Sequence, residues 1–160
     1  MNDENVLSRI QALTYSITRK IGHQIGEVLS ELGLTRGQFY ILKTIESQGK
    51  CRATDIANLM EVKPSAVTLM IDRLEARRWV RRSQDTSDRR VIIIELTPEG
   101  KEILNKARQI SDKAVKCYFS QLSSDDLEHL LKIYEKLERI ITNKSKKEDC
   151  RPMEEKKQLK

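Results

Sequence analysis

The apolar residues of this chain follow a helical spacing over most of its length and give way to a strand pattern in one short stretch. From Val6 to Leu32 they recur every three or four positions, which is typical of one face of a long amphipathic helix. Similar but shorter patterns continue to Arg77. Residues 90–96 are instead mostly β-branched and too few for a helix, so we predict a strand there. The chain is therefore expected to be mainly α-helical (α+β), with one small β-element.

Capping and turn residues divide the N-terminal half into four predicted helices. Gly33 ends the first helix, because glycine tolerates a positive φ at a helix C-terminus. Thr35 caps a second helix, and a third spans 52–60. After a turn at 61–63, Pro64 begins a fourth helix, since the missing N–H of proline has no helical partner at the first position.

The remaining elements are a hairpin and two further helices. Residues 80–83 and 90–96 are predicted to pair as strands across a polar loop. Thr97 as N-cap and Pro98 at the first position begin a fifth helix, and a capping-box pattern at 123–126 begins a sixth. In the second to fifth helices the side chains expected to face inward are Phe39, Leu42, Ile45, Ile56, Ala57, Met60, Val67, Ile71, Leu74, Ile103, Ala107, Ile110, Ala114 and Cys117 or Tyr118.

The predicted elements follow the order of a winged helix-turn-helix, which consists of two helices, a short turn, another helix and a hairpin. The residues that lead the fourth helix, Lys63, Ser65, Ala66 and Thr68, are short or hydrogen-bonding, which suits contact with base edges and phosphates. Pro64 leaves the helix end open, so that backbone N–H groups can face a phosphate. This pattern predicts binding to double-stranded DNA.

The distribution of charge agrees with that prediction. The chain has 160 residues and a net charge of +6, a weak sign of a polyanionic partner until the charges are placed. Residues 73–90 hold seven arginines against three acidic residues. Arginine forks onto phosphate and enters narrow minor grooves, although a solvated basic face would have the same composition. The candidate contacts from this segment are Arg73, Arg81, Arg89 and Arg90.

Other function classes find little support. No apolar run approaches the roughly 18 residues of a membrane span, and the acidic start is unlike a secretory signal, so we expect a cytoplasmic protein without membrane contact. Three scattered cysteines and two distant histidines argue against a disulfide scaffold or a metal site. No nucleophile elbow, phosphate loop or paired-carboxylate motif is present. We therefore expect neither an enzyme nor a cofactor.

Across residues 6–142 the sequence resembles the MarR-type transcriptional regulators. The most specific feature is an Asp-x-Arg motif in the wing. It follows a helix-turn-helix and is itself followed by a strand and a Leu-Thr-x-x-Gly motif. The matching segments are LTRGQF (34–39), DIA (55–57), VT (67–68), IDRL (71–74), WVRR (79–82), DTSDRR (85–90) and LTPEG (96–100).

The resemblance implies a homodimer on a pseudo-palindromic duplex and assigns roles to individual residues. Residues 1–34 and 98–142 would form the dimerisation helices and 35–97 the winged domain. Residues 143–160 lie outside the resemblance, and their charged composition with almost no apolar residues predicts a disordered basic tail. Arg90 would enter the minor groove with Asp88 fixing its guanidinium. Arg73 would meet backbone phosphate or brace the wing, and the start of the fourth helix would face the major groove.

Two residues depart from the family pattern. Arg78 stands where many relatives have glycine, so a left-handed backbone there would cost on the order of 1 kcal/mol. Lys63 stands at an N-cap position where serine or threonine is usual, and it could instead reach a phosphate.

The resemblance also implies a ligand response, whereas none of the three cysteines points to thiol sensing. Members of this family often bind small aromatic anions, and Tyr15, Arg19, His23 and Tyr40 could line such a pocket or simply pack. Cys117 is expected to be a small buried side chain, whereas Cys51 and Cys150 could be exposed. Repression is favoured over activation. The rival from another class is a helical interaction module whose basic tail binds RNA or anionic membrane.

Overall fold

The computed structural model describes residues 3–144 and confirms the mainly helical winged architecture. The predicted basic tail lies outside the described residues except at its start, because the last helix continues to Lys144. No helix of the described part is long and apolar enough to cross a membrane. The elements in chain order are α1 (Asp3–Glu31), α2 (Arg36–Gln48), α3 (Ala53–Met60), α4 (Pro64–Ala76), β1 (Val80–Gln84), β2 (Ile92–Leu96), α5 (Pro98–Phe119) and α6 (Ser124–Lys144).

The chain divides into two compact units between Lys116 and Cys117. In the first unit one core joins α1 to α5, and the inward faces predicted for α2, α3 and α4 are confirmed except that Phe39 and Met60 are only half-buried. The fully buried side chains of this core include Leu29, Leu34, Ile41, Leu42, Ile45, Ile56, Val67, Ile71, Leu74, Ile94 and Leu104.

The inward face predicted for α5 is wrong by a small rotation. The buried row is Gly100, Leu104, Ala107 and Ser111, while Ile103, Ile110 and Ala114 are half-buried and Cys117 and Tyr118 are exposed. Gly100 explains the rotation, because a Cβ there would lie 1.8 Å from the carbonyl oxygen of Trp79. Only glycine allows this close approach, which turns the Gly100 side of α5 toward the core.

Both cysteine expectations that the structure can test are wrong. Cys51 is buried with 4% exposure, because its backbone forms an isolated antiparallel bridge with Ile94. Burial, and secondarily the charge of Asp55, raises the pKa of the Cys51 thiol to about 11. Cys117 is exposed, and Cys150 lies outside the described residues.

Side chains cap the helices where the sequence predicted them to do so. Thr35 Oγ1 accepts a hydrogen bond from the Gln38 amide at 3.2 Å, and Gln38 Oε1 accepts one from the Thr35 amide at 2.9 Å. This reciprocal pair is a capping box. Thr97 Oγ1 accepts from the Gly100 amide at 2.9 Å and donates to the carbonyl of Arg78 at 2.6 Å. The start of α5 is thereby fastened to the segment between α4 and β1.

Apolar side chains of each unit are exposed among the described residues. In the N-terminal half of α1, Leu7, Ile10, Leu13 and Ile17 are exposed, although Leu29 in the same helix is completely buried. The second unit exposes apolar residues along α6, namely Leu131, Ile133, Tyr134, Leu137, Ile140 and Ile141. Such contiguous apolar surface is typical of an interface.

Arg78 has a left-handed backbone, with φ of 59°. Replacing it with glycine relieves about 1–2 kcal/mol of strain and adds about 0.5–1 kcal/mol of chain entropy to the unfolded state. We expect Arg78→Gly to raise the free energy of unfolding by about 1 kcal/mol, measured by urea denaturation.

Arg77→Gly is the matched control. Its φ is −89°, and its side chain donates to the Gly33 carbonyl at 2.9 Å and lies 4.9 Å above the Trp79 ring. This substitution should lower stability. A loss of stability in Arg78→Gly would show that the strain is smaller than the entropy that glycine adds to the unfolded state.

Candidate nucleic-acid interface

The turn between α3 and α4 leaves the start of α4 open. Glu61 ends α3 in a left-handed conformation, with φ of 53°, and the extended Lys63 precedes Pro64 at the first helical position. No side chain caps α4. Backbone N–H groups in the first turn of such a helix, together with its dipole, favour an anion.

The side chains predicted to face base edges are exposed. Lys63, Ser65, Ala66 and Thr68 all lie on the solvent side of α4, opposite the buried Val67. The Thr68 hydroxyl donates to the Pro64 carbonyl at 3.0 Å, which leaves the lone pairs of its oxygen available to an outside donor. Sequence reasoning missed Leu69 on this surface, although its place one turn after Ser65 could have indicated it.

The tip of the wing is a loop shaped by two carboxylates. Asp85 Oδ1 accepts hydrogen bonds from the amides of Ser87 and Asp88, at 2.7 and 3.2 Å, and from the Ser87 hydroxyl. Asp88 holds Arg90 in a two-point contact, accepting from Nε at 3.1 Å and from Nη2 at 3.2 Å. The predicted Asp88–Arg90 pair is therefore present, and the Arg90 side chain is still 91% exposed.

Both wing carboxyl groups are held ionised by these contacts. Hydrogen bonds from the Arg90 side chain and backbone lower the pKa of Asp88. Hydrogen bonds from Ser87, followed by that from the Asp88 amide, lower the pKa of Asp85. The wing tip therefore keeps this arrangement as pH falls toward the ordinary range of an aspartate.

The Arg82 guanidinium forms an ionic link between the wing and α4. Arg82 on β1 donates to Asp72 at 2.5 Å through Nη2 and to Glu75 through Nη1, and its amide donates to Glu75 at 3.2 Å. Burial lowers the pKa of Arg82, but the hydrogen bonds and charges of the two acids raise it more. The bracing role considered for Arg73 thus belongs to Arg82, whose acidic partners lie in another element.

The other arginines of the basic segment differ in how far they are neutralised. Arg81 pairs with Glu95, its Nη2 lying 3.0 Å from Oε2, so this predicted contact residue is already engaged. Neither Arg73 nor Arg89 has an acidic partner within residues 3–144, and both are exposed. Arg77 and Arg78 likewise have no acidic partner within residues 3–144, so the uncompensated charge lies on α4, in the segment after it and at the wing tip.

A separate cleft lies between α1 and α2. It has a volume of about 440 Å³ and includes Tyr40, one of the four residues predicted for a ligand pocket. Tyr15, Arg19 and His23 do not line it, and His23 instead lies 3.6 Å from Glu27. The lining residues are Ile25, Leu29, Arg36, Gly37, Phe39, Tyr40 and Lys43.

Among the described residues no group of three or more histidine, cysteine or acidic side chains is placed to hold a metal ion.

Comparison with known proteins adds family relationships to this geometry. The sequence profile of the MarR family matches residues 34–92. The HTH-type transcriptional repressor MdtR of Bacillus subtilis is 40% identical over 97 residues, which is 61% of this chain and 63% of MdtR. The matched part therefore spans less than two thirds of that relative.

Two solved structures extend the similarity over most of the chain. The YusO protein of Bacillus subtilis is 32% identical with a TM-score of 0.73, covering 87% of this chain and 99% of YusO. A MepR-like protein complexed with pseudoligands is 46% identical with a TM-score of 0.56, covering 84% of this chain and 94% of that one.

The bridge made by Arg82 can be tested with a substitution that keeps its charge. Arg82→Lys cannot span two carboxylates, so we expect the free energy of unfolding to fall by about 1 kcal/mol, measured by denaturation. Arg81→Lys is the control, since Arg81 is 68% exposed and pairs with one acid only, and it should change stability by less than about 0.5 kcal/mol. Equal effects of the two substitutions would contradict the bridging role.

Proposed function

The chain belongs to the MarR family of DNA-binding transcriptional regulators, and from this premise we propose that it is a repressor that binds a pseudo-palindromic operator as a homodimer. The observation that carries the proposal is the wing tip, where Asp88 holds an exposed Arg90 guanidinium in a fixed orientation. An arginine fixed in advance loses little conformational freedom when it enters a narrow minor groove.

The start of α4 supplies the second contact in this proposal. Its first turn, without a side-chain cap, suits a backbone phosphate, and the exposed Ser65, Ala66 and Thr68 suit base edges in the major groove. Arg73 and Arg89, which lack acidic partners in the described part of the chain, would neutralise phosphates. Lys63 would do the same from the N-cap position.

The exposed apolar residues of α1 and α6 support the homodimer. Each row is too long to be left in water by an isolated chain, and neither is covered by the described residues of its own unit. Pairing two copies through these helices would bury both rows and set the two winged domains on adjacent turns of a duplex. Repression follows if the operator overlaps a promoter, and MdtR is named a repressor.

The cleft between α1 and α2 is the proposed effector site. Its floor is apolar, with Ile25, Leu29 and Phe39, and its rim carries Arg36 and Lys43. The Arg36 guanidinium lies so close to α1 that a Cβ on Gly22 would be 2.9 Å from its Nη1. With no acidic partner for Arg36 in residues 3–144, a small aromatic anion is the matching ligand. The related MepR-like structure contains pseudoligands.

The DNA-binding proposal is tested by selecting genomic duplex fragments with the full chain at about 150 mM salt, which suppresses non-specific binding. A palindromic motif with half-sites about 34–36 Å apart is expected. On that motif, Arg90→Ala should weaken binding by roughly tenfold to a hundredfold, measured by fluorescence anisotropy.

Deletion of 143–160 is the control and should change operator affinity little. If Arg90→Ala kept full affinity and an unchanged salt slope, the wing assignment would be wrong. Loss of binding on tail deletion alone would favour the interaction module that binds RNA or membrane.

Benzoate, a simple aromatic carboxylate, is the probe for the effector site. Benzoate should release the operator from the wild-type protein. Arg36→Met should raise the benzoate concentration needed for release roughly tenfold or more, because it removes a charged hydrogen bond to the carboxylate. Arg19→Met is the matched control, because Arg19 lies outside the cleft. A larger shift in the Arg19 variant would place the effector at the residues first suggested by the sequence.

A further inference from the structure

Leu69 is a large apolar side chain exposed in the middle of α4. Its exposed fraction is 53%, and no other large apolar residue of α4 is exposed. The other large aliphatic residues of this helix, Val67, Ile71 and Leu74, are completely buried. Leu69 therefore contributes little to the core, and its apolar surface stays in water in the isolated chain.

The position of Leu69 on the helix is central to the solvent face. Ser65, Leu69, Asp72 and Ala76 follow one another at spacings of four, three and four residues, so they share one face. Ser65 and Ala76 are small, and Asp72 is held by Arg82. Leu69 is thus the largest apolar group on the surface that would enter the groove.

The charges around Leu69 identify its partner. Lys63 and Arg73 belong to the same helix and its cap, and neither has an acidic partner within residues 3–144. An apolar peptide surface would not compensate these charges. A DNA major groove does, and the apolar group it offers at its base edges is the C5-methyl of thymine.

We propose that Leu69 is a specificity-determining residue that contacts the C5-methyl of one thymine in each operator half-site. The inference rests on the proposed function, since it needs α4 in the major groove. Cytosine lacks this methyl group, and its amino group donates where the O4 of thymine accepts. Leu69 would therefore favour thymine over cytosine at one position without making any hydrogen bond.

The experiment removes the methyl group and leaves base pairing intact. Each thymine of the selected operator is replaced in turn by deoxyuridine, and dissociation constants are measured by fluorescence anisotropy. For the wild-type chain, one thymine per half-site should show about fourfold weaker binding on replacement, the effect of burying one methyl group. Replacing both symmetry-related thymines should weaken binding roughly fifteenfold, because the two sites are distant and independent.

Two variants make the assignment specific. Leu69→Ala should bind the thymine and deoxyuridine operators equally well. Leu59→Ala should keep the wild-type sensitivity, because Leu59 is similarly exposed, at 50%, but lies on α3. Both residues are on the surface, so both variants are expected to fold.

The outcomes separate this inference from the proposed function. Operator binding without any sensitive thymine, or with the same sensitivity in Leu69→Ala, overturns the role of Leu69 and leaves the regulator intact. If Leu59→Ala instead loses the sensitivity to replacement of thymine by deoxyuridine, the methyl contact belongs to α3. Failure to select any motif overturns both proposals.

Discussion

The geometry of the proposed DNA-facing surface depends on the guanidinium of Arg82. A two-stranded hairpin has little stability by itself, and here β1 and β2 form the only sheet in the described residues. Arg82 connects this hairpin to Asp72 and Glu75, which lie about one turn apart on α4. Because α4 and the wing are joined by this bridge, the position of the wing tip is set relative to the start of α4, and both can contact one duplex in a fixed register.

The same bridge also reduces the positive charge that the basic segment at residues 73–90 presents to solvent. Seven arginines between residues 73 and 90 suggest a uniformly positive surface, but Arg82 and Arg81 are neutralised by acids within the fold. Arg90 is paired as well, yet its pairing orients an exposed side chain. Net charge therefore overstates the charge available to phosphate. In the proposed interface, specific arginines supply the attraction to phosphate, and Arg81 and Arg82 build the scaffold that presents them.

The sequence predicted features that depend on neighbouring residues and missed those that depend on distant ones. The N-cap at Thr35 and the order of helices and strands follow from local spacing, and the structure confirms them. The burial of Cys51 depends on a bridge to Ile94, and the rotation of α5 depends on contact between Gly100 and Trp79. Such contacts join segments far apart in the chain, so no periodic pattern could reveal them. The roles of the individual DNA-contacting residues stay predictions.

In the proposed regulator, α1 connects the effector cleft to the spacing of the two winged domains. The helix has 29 residues, or about 44 Å at 1.5 Å per residue. Its first half presents apolar residues for the dimer, and its second half packs Leu29 into the core and lines the cleft. A ligand that separates α1 from α2 at Arg36 would therefore move each winged domain relative to the dimer layer. Operator binding needs the two α4 helices of the dimer to lie one helical turn of DNA apart. The ligand would therefore lower operator affinity by the factor by which it binds the separated arrangement more tightly than the unseparated one.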